Sequence, residues 1–383
     1  MKIVFLVSSM NAGGAERVAA TLVNAWARRG DEVTLVATFT QKKPSFYPLT
    51  DGVDFVWLVD RMGTARGRPL AAAAKLLALR RLVREARPDL VISFLTNVNV
   101  MALLGLWGMK VPIIVCERTN PAVSASSGAV LRALRRWTYP RANVVTVQAQ
   151  ASVAAFKSMV PGIRCLQVIA NPLPPALLDA PTTTGSPGRE GRRKLVAMGR
   201  LVPDKQFNIL VRAFAGVAAR HADWDLVIWG EGPLRAQLEE QVAQAGLAAR
   251  VTLPGRTENP WDELSRAQAF VLTSAVEGFP NVLLEAMALG LACITFDCPS
   301  GPREITRDGT DALLVPAGDE GALLEGLDRL LGDAALRAVL ARSAAESVRR
   351  RYALPVVLEA WDALMVMAGA SPAACKDVGA HHD

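Results

Sequence analysis

A short apolar run, followed by a loop and a helical pattern, limits what this chain can fold into more than any other stretch. Residues 269–273 are few and mostly apolar, which is typical of a strand buried on both faces. Pro280 favours the first turn of a helix, and Gly290 is a stop signal. A buried strand that leads through a loop into a helix is the building block of a parallel α/β sheet. Ligands bind such sheets at the carboxyl ends of the strands, so we predict a site in the loop 274–280.

Two carboxylates accompany this corner, and their function is open from the residues alone. Glu277 stands in the loop, and Glu285 follows eight residues later in the predicted helix. The two residues fit solvated acids that pair with a helix N-terminus, or the carboxylate pair of a hydrolase. They also fit a sugar-nucleotide site, in which a carboxylate accepts hydrogen bonds from hydroxyls while the helix N-terminus receives the anionic or polar donor.

The same rhythm of strand and helix opens the chain and returns after residue 190. Lys2–Ser8 is an apolar run that leads into a glycine turn and an amphipathic helix, and Lys194–Met198 begins a second series. A chain of 383 residues exceeds one ordinary core, and its hydrophobic fraction of 51% is enough for two. Proline, glycine and threonine crowd Pro172–Arg193, which favours a link without regular structure. We therefore predict an N-terminal domain over 1–171, a linker over 172–193 and a C-terminal domain over 194–350.

The composition argues against several classes of protein. Five cysteines without a Cys-x-x-Cys spacing, and only three histidines, disfavour a disulfide framework and a metal site. We find no run of about 18 clean apolar residues. The apolar start is short and lacks a following cleavage site, so it predicts a first strand rather than a signal peptide. The expectation is a cytoplasmic protein that binds no metal and at most rests on the inner face of the cell membrane.

The basic charge is concentrated in one part of the chain. Residues 61–141 carry 14 Lys or Arg against three Asp or Glu. The basic face of the helix predicted over Leu70–Arg87 consists of Lys75, Arg80, Arg84 and Arg87. A second basic stretch, Ala129–Arg141, adds Trp137 and Tyr139, which suit either a headgroup interface or the core. A helix face whose charges are nearly all positive indicates contact with an anionic membrane or acceptor, although a charged face is ordinarily just exposed to solvent. Nucleic acid is disfavoured, because no aromatic residues alternate with the basic ones.

Two other strand–helix corners carry features suited to phosphate. Gly13-Gly14 allows the backbone to approach an anion closely, although the Gly-x-Gly-x-x-Gly dinucleotide fingerprint is missing and a plain turn fits equally. Arg200 and Lys205 follow the strand that opens the second series. An arginine can bind two phosphate oxygens at once, and a lysine supplies a compact positive charge, so this corner favours an anion. The alternative is that two cations stand at the start of a helix without a functional role.

The motif around the two carboxylates carries a family resemblance. The segment from Glu277 to Ala288, Glu-Gly-Phe-Pro-Asn-Val-Leu-Leu-Glu-Ala-Met-Ala, resembles the signature of retaining glycosyltransferases of family four, which have the GT-B fold. The Gly-Arg-Leu…Lys pattern is similar to the family's diphosphate clamp. The resemblance implies two Rossmann-like α/β domains that face each other across a cleft, with a last helix, 351–367, crossing back to the first domain. Residues 368–383 are predicted to be a flexible tail.

The resemblance also implies a role for each motif. Arg200 and Lys205 would stabilise the leaving diphosphate, and Glu277 would hold hydroxyls of the transferred sugar. Glu285 would accept hydrogen bonds from the ribose hydroxyls, and the backbone of the loop at Gly255 would read the nucleobase. Relatives carry a histidine near the position of Glu117, and a carboxylate is expected to replace it here. The donor-binding residues predicted in this way are Gly14, Glu117, Arg118, Gly255, Gly278, Phe279, Pro280, Asn281, Val282 and Glu285.

These observations lead to a functional hypothesis with two rivals. The hypothesis is a retaining, metal-independent hexosyltransferase without a cofactor. It would move a hexose or N-acetylhexosamine from a nucleotide sugar, UDP favoured over GDP, to a polyprenyl-diphosphate-linked saccharide in surface polysaccharide synthesis. The rivals are a GT-B sugar-nucleotide epimerase, which would need no acceptor, and a non-catalytic membrane-associated scaffold, which would bind no nucleotide.

Overall fold

The chain forms two compact units. The computed structural model describes residues 1–39, 43–62, 68–119, 128–182 and 191–370. The first unit contains Met1–Pro172 and the segment that starts at Pro355, and the second contains Leu173–Leu354. Each unit is built around one sheet of parallel strands, in agreement with the alternating strands and helices that the sequence predicts.

The first unit has a seven-stranded sheet in the order β3-β2-β1-β4-β5-β6-β7. Its strands are β1 (Lys2–Val7), β2 (Glu32–Ala37), β3 (Val53–Trp57), β4 (Leu90–Phe94), β5 (Ile113–Cys116), β6 (Val144–Val147) and β7 (Leu166–Val168). The helices among and after these strands are α1 (Gly14–Arg28), α2 (Arg68–Ala86), α3 (Thr96–Gly105), α4 (Ala129–Thr138) and α5 (Val153–Met159). The central strands β1 and β4 are apolar except for the exposed Lys2 and the buried Ser93, which suits a sheet whose side chains are buried on both faces.

The second unit has a six-stranded sheet in the order β10-β9-β8-β11-β12-β13. Its strands are β8 (Arg193–Met198), β9 (Trp224–Trp229), β10 (Val251–Gly255), β11 (Ala269–Leu272), β12 (Ala292–Asp297) and β13 (Leu313–Pro316). Its helices are α6 (Phe207–Ala218), α7 (Arg235–Gln244), α8 (Pro260–Ser265), α9 (Asn281–Ala288), α10 (Pro302–Ile305), α11 (Glu320–Gly332) and α12 (Ala334–Arg351).

The strand order of each sheet reverses next to its first strand. In the first unit β1 lies between β2 and β4, and in the second β8 lies between β9 and β11. At such a switch point the two neighbouring loops leave in opposite directions and open a crevice at the carboxyl ends of the strands. The loops after β8 and β11 therefore meet at the place where an open α/β sheet binds its ligand.

A last helix, α13 (Leu354–Ala368), belongs to the first unit. Its Trp361 is buried edge-on against Trp26 of α1, with ring centroids 5.6 Å apart. Asp362 accepts two hydrogen bonds from Arg29 Nη1, both of 2.8 Å. Beyond the helix Ala370 is still buried, so the end of the described chain is packed where a tail was expected. Residues 371–383 of that predicted tail lie outside the described residues.

The predicted linker is more ordered than its composition suggests. A 3-10 turn spans Pro175–Leu177, and Leu173 and Leu177 are buried. The Leu173 N–H donates to the Tyr352 carbonyl at 2.7 Å. The two leucines anchor the stretch to the second unit, while the prolines suit a short turn because they need no amide partner. Residues 183–190 of this stretch lie outside the described residues.

Across the described ranges, no helix combines the length and the apolar content that crossing a membrane requires.

Candidate functional site

The loops after β8 and β11 bring Lys205 and Glu277 into an ion pair. Lys205 Nζ donates to Glu277 Oε1, and the two side chains are 19% and 13% exposed. Two more hydrogen bonds of 2.8 Å join the loops, from Thr273 Oγ1 to the Lys205 carbonyl and from the Ala275 N–H to the Asp204 carbonyl. The pair is therefore held at the switch point of the second sheet.

A tight corner positions the cations. The 3-10 turn Pro203–Lys205 is followed by Gln206 in the left-handed region, with φ of 49° and ψ of 35°. Such a conformation costs a side-chain-bearing residue about 1–2 kcal/mol. Gln206 is the N-cap residue of α6, which begins at Phe207. Arg200 is exposed at the same strand–helix corner, two residues beyond the end of β8. Both predicted phosphate-binding cations thus lie beyond the carboxyl end of one strand.

The loop that carries Glu277 is braced by the loop after β12. Ser300 Oγ donates to the Glu277 carbonyl at 2.5 Å. Gly301 has a φ of 93°, and a Cβ atom there would lie 2.6 Å from Pro280 Cδ. Only glycine fits this approach. The brace holds the buried segment from Gly278 to Pro280 against the start of α9 at Asn281, where helix dipole and amide groups favour an anion.

A second close approach involves the loop after β9. A Cβ atom on Gly230 would lie 1.8 Å from the Gly199 carbonyl oxygen, and one on Gly232 would lie 2.3 Å from that of Leu201. The Leu201 N–H donates to the Glu231 carbonyl at 3.0 Å. The Gly-Glu-Gly sequence therefore lets the β9 loop pass directly against the backbone that carries Arg200.

Glu285 is the most deeply buried carboxylate predicted for this site. It lies in α9 and is 1% exposed. Trp261 Nε1 of α8 donates to its Oε2 at 3.0 Å. The local sequence does not predict this contact of Trp261, because α8 is short and nothing in its pattern connects it with α9.

The loop predicted to read the nucleobase begins at Gly255, the last residue of β10. Gly255 has a φ of 98°, and a Cβ atom there would lie 3.0 Å from Glu231 Oε1. Glu231 pairs with Arg235, with Nη2 to Oε1 at 2.8 Å, and this hydrogen bond lowers the pKa of Glu231. Arg235 Nη2 also donates to the Leu253 carbonyl at 3.0 Å, which ties the end of β10 to α7.

In the first unit, Gly14 begins α1 and is exposed at the end of the turn after β1. The preceding Gly13 is extended, and its N–H and carbonyl both bond to the Tyr47 hydroxyl, at 3.1 Å and 3.0 Å. A Cβ atom on Gly13 would lie 2.3 Å from Glu16 Oε2. The turn is thus held by a side chain from outside the β1–α1 corner, and it leaves Gly14 accessible.

Arg118 follows β5 at the carboxyl edge of the same sheet. Its Nη2 donates to Asn171 Oδ1, which also accepts from Gln148 Nε2 at 2.7 Å. The guanidinium lies 4.2 Å from the centroid of the Phe94 ring. Burial lowers the pKa of Arg118 to about 10. Gln148 and Asn171 were missed by the sequence analysis, and their position just after β6 and β7 is the signal that points to them.

Glu117 does not have the donor-binding role that was expected of it. Its carboxylate is 1% exposed and accepts from the Tyr139 hydroxyl at 2.5 Å and from Thr96 Oγ1 at 2.7 Å. Arg135 Nη1 lies 3.9 Å away. Burial raises the pKa of Glu117, although these three partners favour its ionised form. The carboxylate serves an internal network because the first unit supplies its partners, so this arrangement does not offer the donor contact expected of it.

The basic face of α2 is divided between packing and solvent. Arg80 donates to the Gly105 carbonyl at 3.1 Å and to the Trp107 carbonyl at 2.7 Å, so it caps the end of α3. Lys75 Nζ lies 4.1 Å from the centroid of the Phe39 ring, and burial lowers the pKa of Lys75. Arg84 and Arg87 are exposed. The four residues therefore do not form one uniform basic surface as predicted, because two of them are engaged by neighbouring elements.

An exposed aromatic surface cluster, made of Trp107, Trp137 and Arg141, lies beside α3 and α4. The two indoles are 45% and 50% exposed, with ring centroids 4.9 Å apart. The Arg141 guanidinium lies 4.0 Å and 4.3 Å from the two rings. Tyr139 is fully buried, so the core alternative is correct for it, whereas Trp137 reaches solvent.

Within the described residues, no group of three or more His, Cys, Asp or Glu is placed to hold a metal ion.

Comparison with known families matches both units. The family described as Glycosyl transferase 4-like domain matches residues 13–172, and the family described as Glycosyl transferases group 1 matches residues 183–347. A similar relative is the GalNAc-α-(1→4)-GalNAc-α-(1→3)-diNAcBac-PP-undecaprenol α-1,4-N-acetyl-D-galactosaminyltransferase of Campylobacter jejuni. It is 29% identical over 363 residues, which cover 94% of this chain and 97% of that protein.

Solved structures match the whole fold. Sucrose-phosphate synthase from Thermosynechococcus elongatus has a TM-score of 0.82 at 19% identity, covering 97% of this chain and 100% of that one. Anabaena HepE, solved with UDP and glucose, has a TM-score of 0.77 at 18% identity, covering 96% and 99%. These likenesses show the GT-B fold, the architecture of a large class of glycosyltransferases. The two family matches together span most of the chain, and they show that it belongs to the glycosyltransferases of family four, with a 4-like domain followed by a group 1 domain.

Proposed function

We propose that this glycosyltransferase retains the anomeric configuration while it moves a hexose or N-acetylhexosamine from a UDP-sugar to a polyprenyl-diphosphate-linked saccharide. The observation that carries the proposal is the Lys205–Glu277 pair at the switch point of the second sheet, beside the start of α9. The Campylobacter jejuni relative, whose name specifies an undecaprenyl-diphosphate-linked saccharide, supports the acceptor class. HepE, solved with UDP and glucose, supports the donor nucleotide.

The chemical problem is the departure of a nucleoside diphosphate from an anomeric carbon. Negative charge grows on the diphosphate as that bond breaks, so the enzyme needs positive groups that are already in position. Arg200 and Lys205 stand at one corner of the second unit, and the amide groups at the start of α9 stand beside Glu277. Preorganised donors of this kind each contribute about 3 kcal/mol to catalysis. Lys205 would exchange part of its bond with Glu277 for a phosphate oxygen when the donor binds.

The carboxylates would hold the neutral parts of the donor. Glu277, released in part from Lys205, accepts hydrogen bonds from hydroxyls of the transferred sugar. The buried Glu285 accepts from the ribose hydroxyls, and the backbone after Gly255 reads the base. The acceptor hydroxyl attacks from the face that the diphosphate leaves, and the departing phosphate oxygen takes its proton. No protein nucleophile is required, and the configuration at the anomeric carbon is retained.

The same charges make a metal unnecessary in this proposal. Arg200, Lys205 and the α9 amide groups supply the positive field that a divalent cation supplies in other transferases. Transfer is expected to continue at the untreated rate in excess EDTA. Loss of activity in EDTA, with recovery on addition of Mg²⁺ or Mn²⁺, would contradict metal independence.

We also propose that the first unit meets an anionic membrane through the aromatic surface cluster, which would place the protein peripherally on the inner face of the cell membrane. Indole rings favour the headgroup region, and Arg141 between them would face lipid phosphates. Exposed Val130 lies on α4, seven residues before Trp137, so helical spacing puts the two on one face of that helix. The basic excess of residues 61–141 has the sign that anionic lipids attract.

Vesicle sedimentation tests the membrane proposal. Vesicles of phosphatidylcholine with 30% phosphatidylglycerol (about one anionic lipid in three) are expected to bind the wild type, and Trp107→Ala/Trp137→Ala to bind several-fold less. Trp57→Ala, an aromatic change in β3 away from the cluster, is the matched control. Equal binding by all three proteins would exclude the cluster as the contact surface.

One experiment tests the transferase assignment itself. Nucleotide release is measured from a panel of UDP- and GDP-sugars, with and without isoprenoid-diphosphate-linked saccharides, and the anomeric configuration of the product is read by NMR. We expect release from a UDP-sugar that rises sharply when the acceptor is present, and an α-linked product from an α-linked donor. Acceptor-independent turnover of a UDP-sugar into its epimer, or a β-linked product, would refute the proposal.

A further inference from the structure

Trp261 stands between the loop predicted to read the base and the carboxylate predicted to hold the ribose. α8 begins at Pro260, directly after the loop that leaves Gly255, so the loop and the indole are consecutive in the chain. The indole Nε1 donates to Glu285 Oε2 at 3.0 Å. Trp261 itself is half-buried, whereas Glu285 is almost completely buried. The neutral indole N–H of Trp261 in α8 thus holds the carboxylate of Glu285 in α9.

We propose that Trp261 is a positioning residue that aims the Glu285 carboxylate at the ribose of the donor and thereby sets the preference for ribose over deoxyribose. The inference rests on the proposed role of Glu285 in donor binding. It assigns a specificity function to a residue outside the family motif from Glu277 to Ala288.

The physical reason is the geometry of a buried carboxylate. A carboxylate can rotate about its terminal torsion, and this torsion is broad for glutamate. Indole N–H is a donor only, so its bond to Oε2 selects one rotation and keeps that oxygen in the acceptor role. With the carboxylate held in one orientation, a ribose hydroxyl meets an acceptor whose direction is already set.

A purely structural role for Trp261 predicts something different. If the indole only fills space between α8 and α9, its replacement changes the affinity for every nucleotide by the same factor or destabilises the unit. If the N–H positions Glu285, the loss appears only for ligands that carry the hydroxyl that Glu285 binds. The ratio of two affinities separates the roles, and this ratio does not depend on the fraction of folded protein.

The experiment measures dissociation constants by calorimetry for UDP, 2′-deoxy-UDP, 3′-deoxy-UDP and the three guanosine counterparts. Wild type is expected to bind the ribonucleotide roughly tenfold or more tightly than at least one deoxy analogue. In Trp261→Phe, which keeps an aromatic ring but lacks the N–H, affinity for the ribonucleotide should fall about tenfold. Affinity for that analogue should change less than about twofold.

A double-mutant cycle links the effect to Glu285. In a Glu285→Gln background, Trp261→Phe should cause less than about a twofold further change in ribonucleotide affinity, because the partner that it positions is already altered. Trp224→Phe is the matched control. Trp224 is a buried indole in the same unit whose Nε1 has no hydrogen-bond partner within the described residues, so its loss should leave the ratio unchanged.

Two outcomes overturn the inference, and they are distinguishable from each other. If Trp261→Phe keeps the wild-type ratio of ribonucleotide to deoxynucleotide affinity while the wild type binds UDP or GDP, only the positioning role is wrong. If the wild type binds neither UDP nor GDP, the donor assignment in the proposed function fails and the inference fails with it.

Discussion

Lys205 and Glu277 have little contact with water in the folded unit. At 19% and 13% exposure their mutual attraction is screened less than that of a surface pair, and each charge depends on the other. Such a pair has two possible roles, namely to hold the β8 and β11 loops together or to present charges to the donor. Mutation of one partner alone affects both, so the roles separate only when both are changed.

We predict that Lys205→Ala and Glu277→Gln each lower kcat/KM for transfer about 100-fold, because each loses a preorganised contact with the donor worth about 3 kcal/mol. The double variant Lys205→Ala/Glu277→Ala should recover part of the stability lost in Lys205→Ala, since no unpaired buried charge remains, but should recover no activity. Steady-state kinetics and thermal melting measure the two effects.

The exposed pair of Arg212 and Glu320 in the same unit offers the control. Its Nε–Oε2 distance is 2.8 Å, and both side chains are more than two-fifths exposed. Glu320→Gln should leave both stability and kinetics close to wild type. Recovery of activity in the double variant of Lys205 and Glu277 would show that the pair is only a brace between loops.

Glu117 leads to a pH-dependence prediction. Burial raises its pKa above the value of the unfolded chain, about 4.3, so between the two pKa values the folded protein binds more protons. The stability contributed by protonated Glu117 is complete below the unfolded pKa and is lost as the pH rises through the folded pKa. Glu117→Gln does not titrate. We expect the unfolding free energy of wild type minus that of the variant to fall as the pH rises from about 4.3 to the folded pKa of Glu117, by up to about 1.4 kcal/mol per pH unit.

Urea unfolding at several pH values measures this difference. A difference that grows with pH would mean that Tyr139 and Thr96 stabilise the ionised carboxylate more than burial disfavours it.

At the scale of elements, the candidate site consists of loops that pack closely because glycines stand where they meet. Gly230 and Gly232 let the β9 loop lie on the β8 loop, and Gly301 lets the β12 loop lie on the segment that carries Glu277. None of these glycines is predicted to bind the donor. Their positions matter because the loops after four strands must approach within backbone contact for Lys205, Glu277 and α9 to share one place.

We predict that Gly301→Ala raises the KM for the donor about tenfold or more, because its Cβ atom would lie 2.6 Å from Pro280 Cδ and would displace the loop before α9. Gly309→Ala is a matched control. Gly309 also has a positive φ, of 86°, but the nearest atom to its Cβ position is Leu314 Cβ at 3.4 Å. Both variants should lose roughly 1–2 kcal/mol from backbone strain, and only Gly301→Ala should lose donor affinity. Equal kinetics in the two variants would argue against the loop brace.

At the scale of the whole molecule, the chain leaves the first unit at Leu173 and returns to it at Pro355. The return matters for stability, because α13 covers one face of the first sheet. Trp361 packs with Trp26 and with Phe94, whose ring centroid lies 6.4 Å away, and Arg29 bonds to Asp362. The first unit therefore depends on residues that lie more than 180 positions beyond its other helices.

We predict that Trp361→Ala destabilises the first unit by about 3–5 kcal/mol, because it leaves a large cavity between α13 and the sheet. Trp137→Ala, at an exposed tryptophan of the same unit, should change stability by less than about 0.5 kcal/mol. Denaturant unfolding followed by circular dichroism measures both. A loss below about 1 kcal/mol for Trp361→Ala would mean that α13 contributes little to the core of the first unit.

Much of the candidate site could be predicted from local sequence. Arg200, Lys205 and Glu277 were predicted because each follows an apolar strand, and the carboxyl ends of parallel strands are known ligand positions. Glu285, inside α9, was predicted from the motif that it shares with Glu277. The GT-B fold followed from the family motif and the repeated strand–helix rhythm. The expected roles of Glu117 and Arg80 were wrong, because both side chains bind partners within the first unit. The burial of Tyr139 was left open by the sequence. In each case the outcome depends on partners from other elements, which a local pattern does not contain.

The sequence alone thus determined the elements, their parallel arrangement and the corners that carry charge, since apolar runs and glycine stops are local properties of the chain. Only the tertiary structure decided which charges meet. Lys205 reaches Glu277 across 72 residues, and Trp261 reaches Glu285 across 24, through loops and helices brought together by the sheet. The physical reason is that a hydrogen bond requires its two atoms within about 3 Å, and that distance is set by the packing of whole elements.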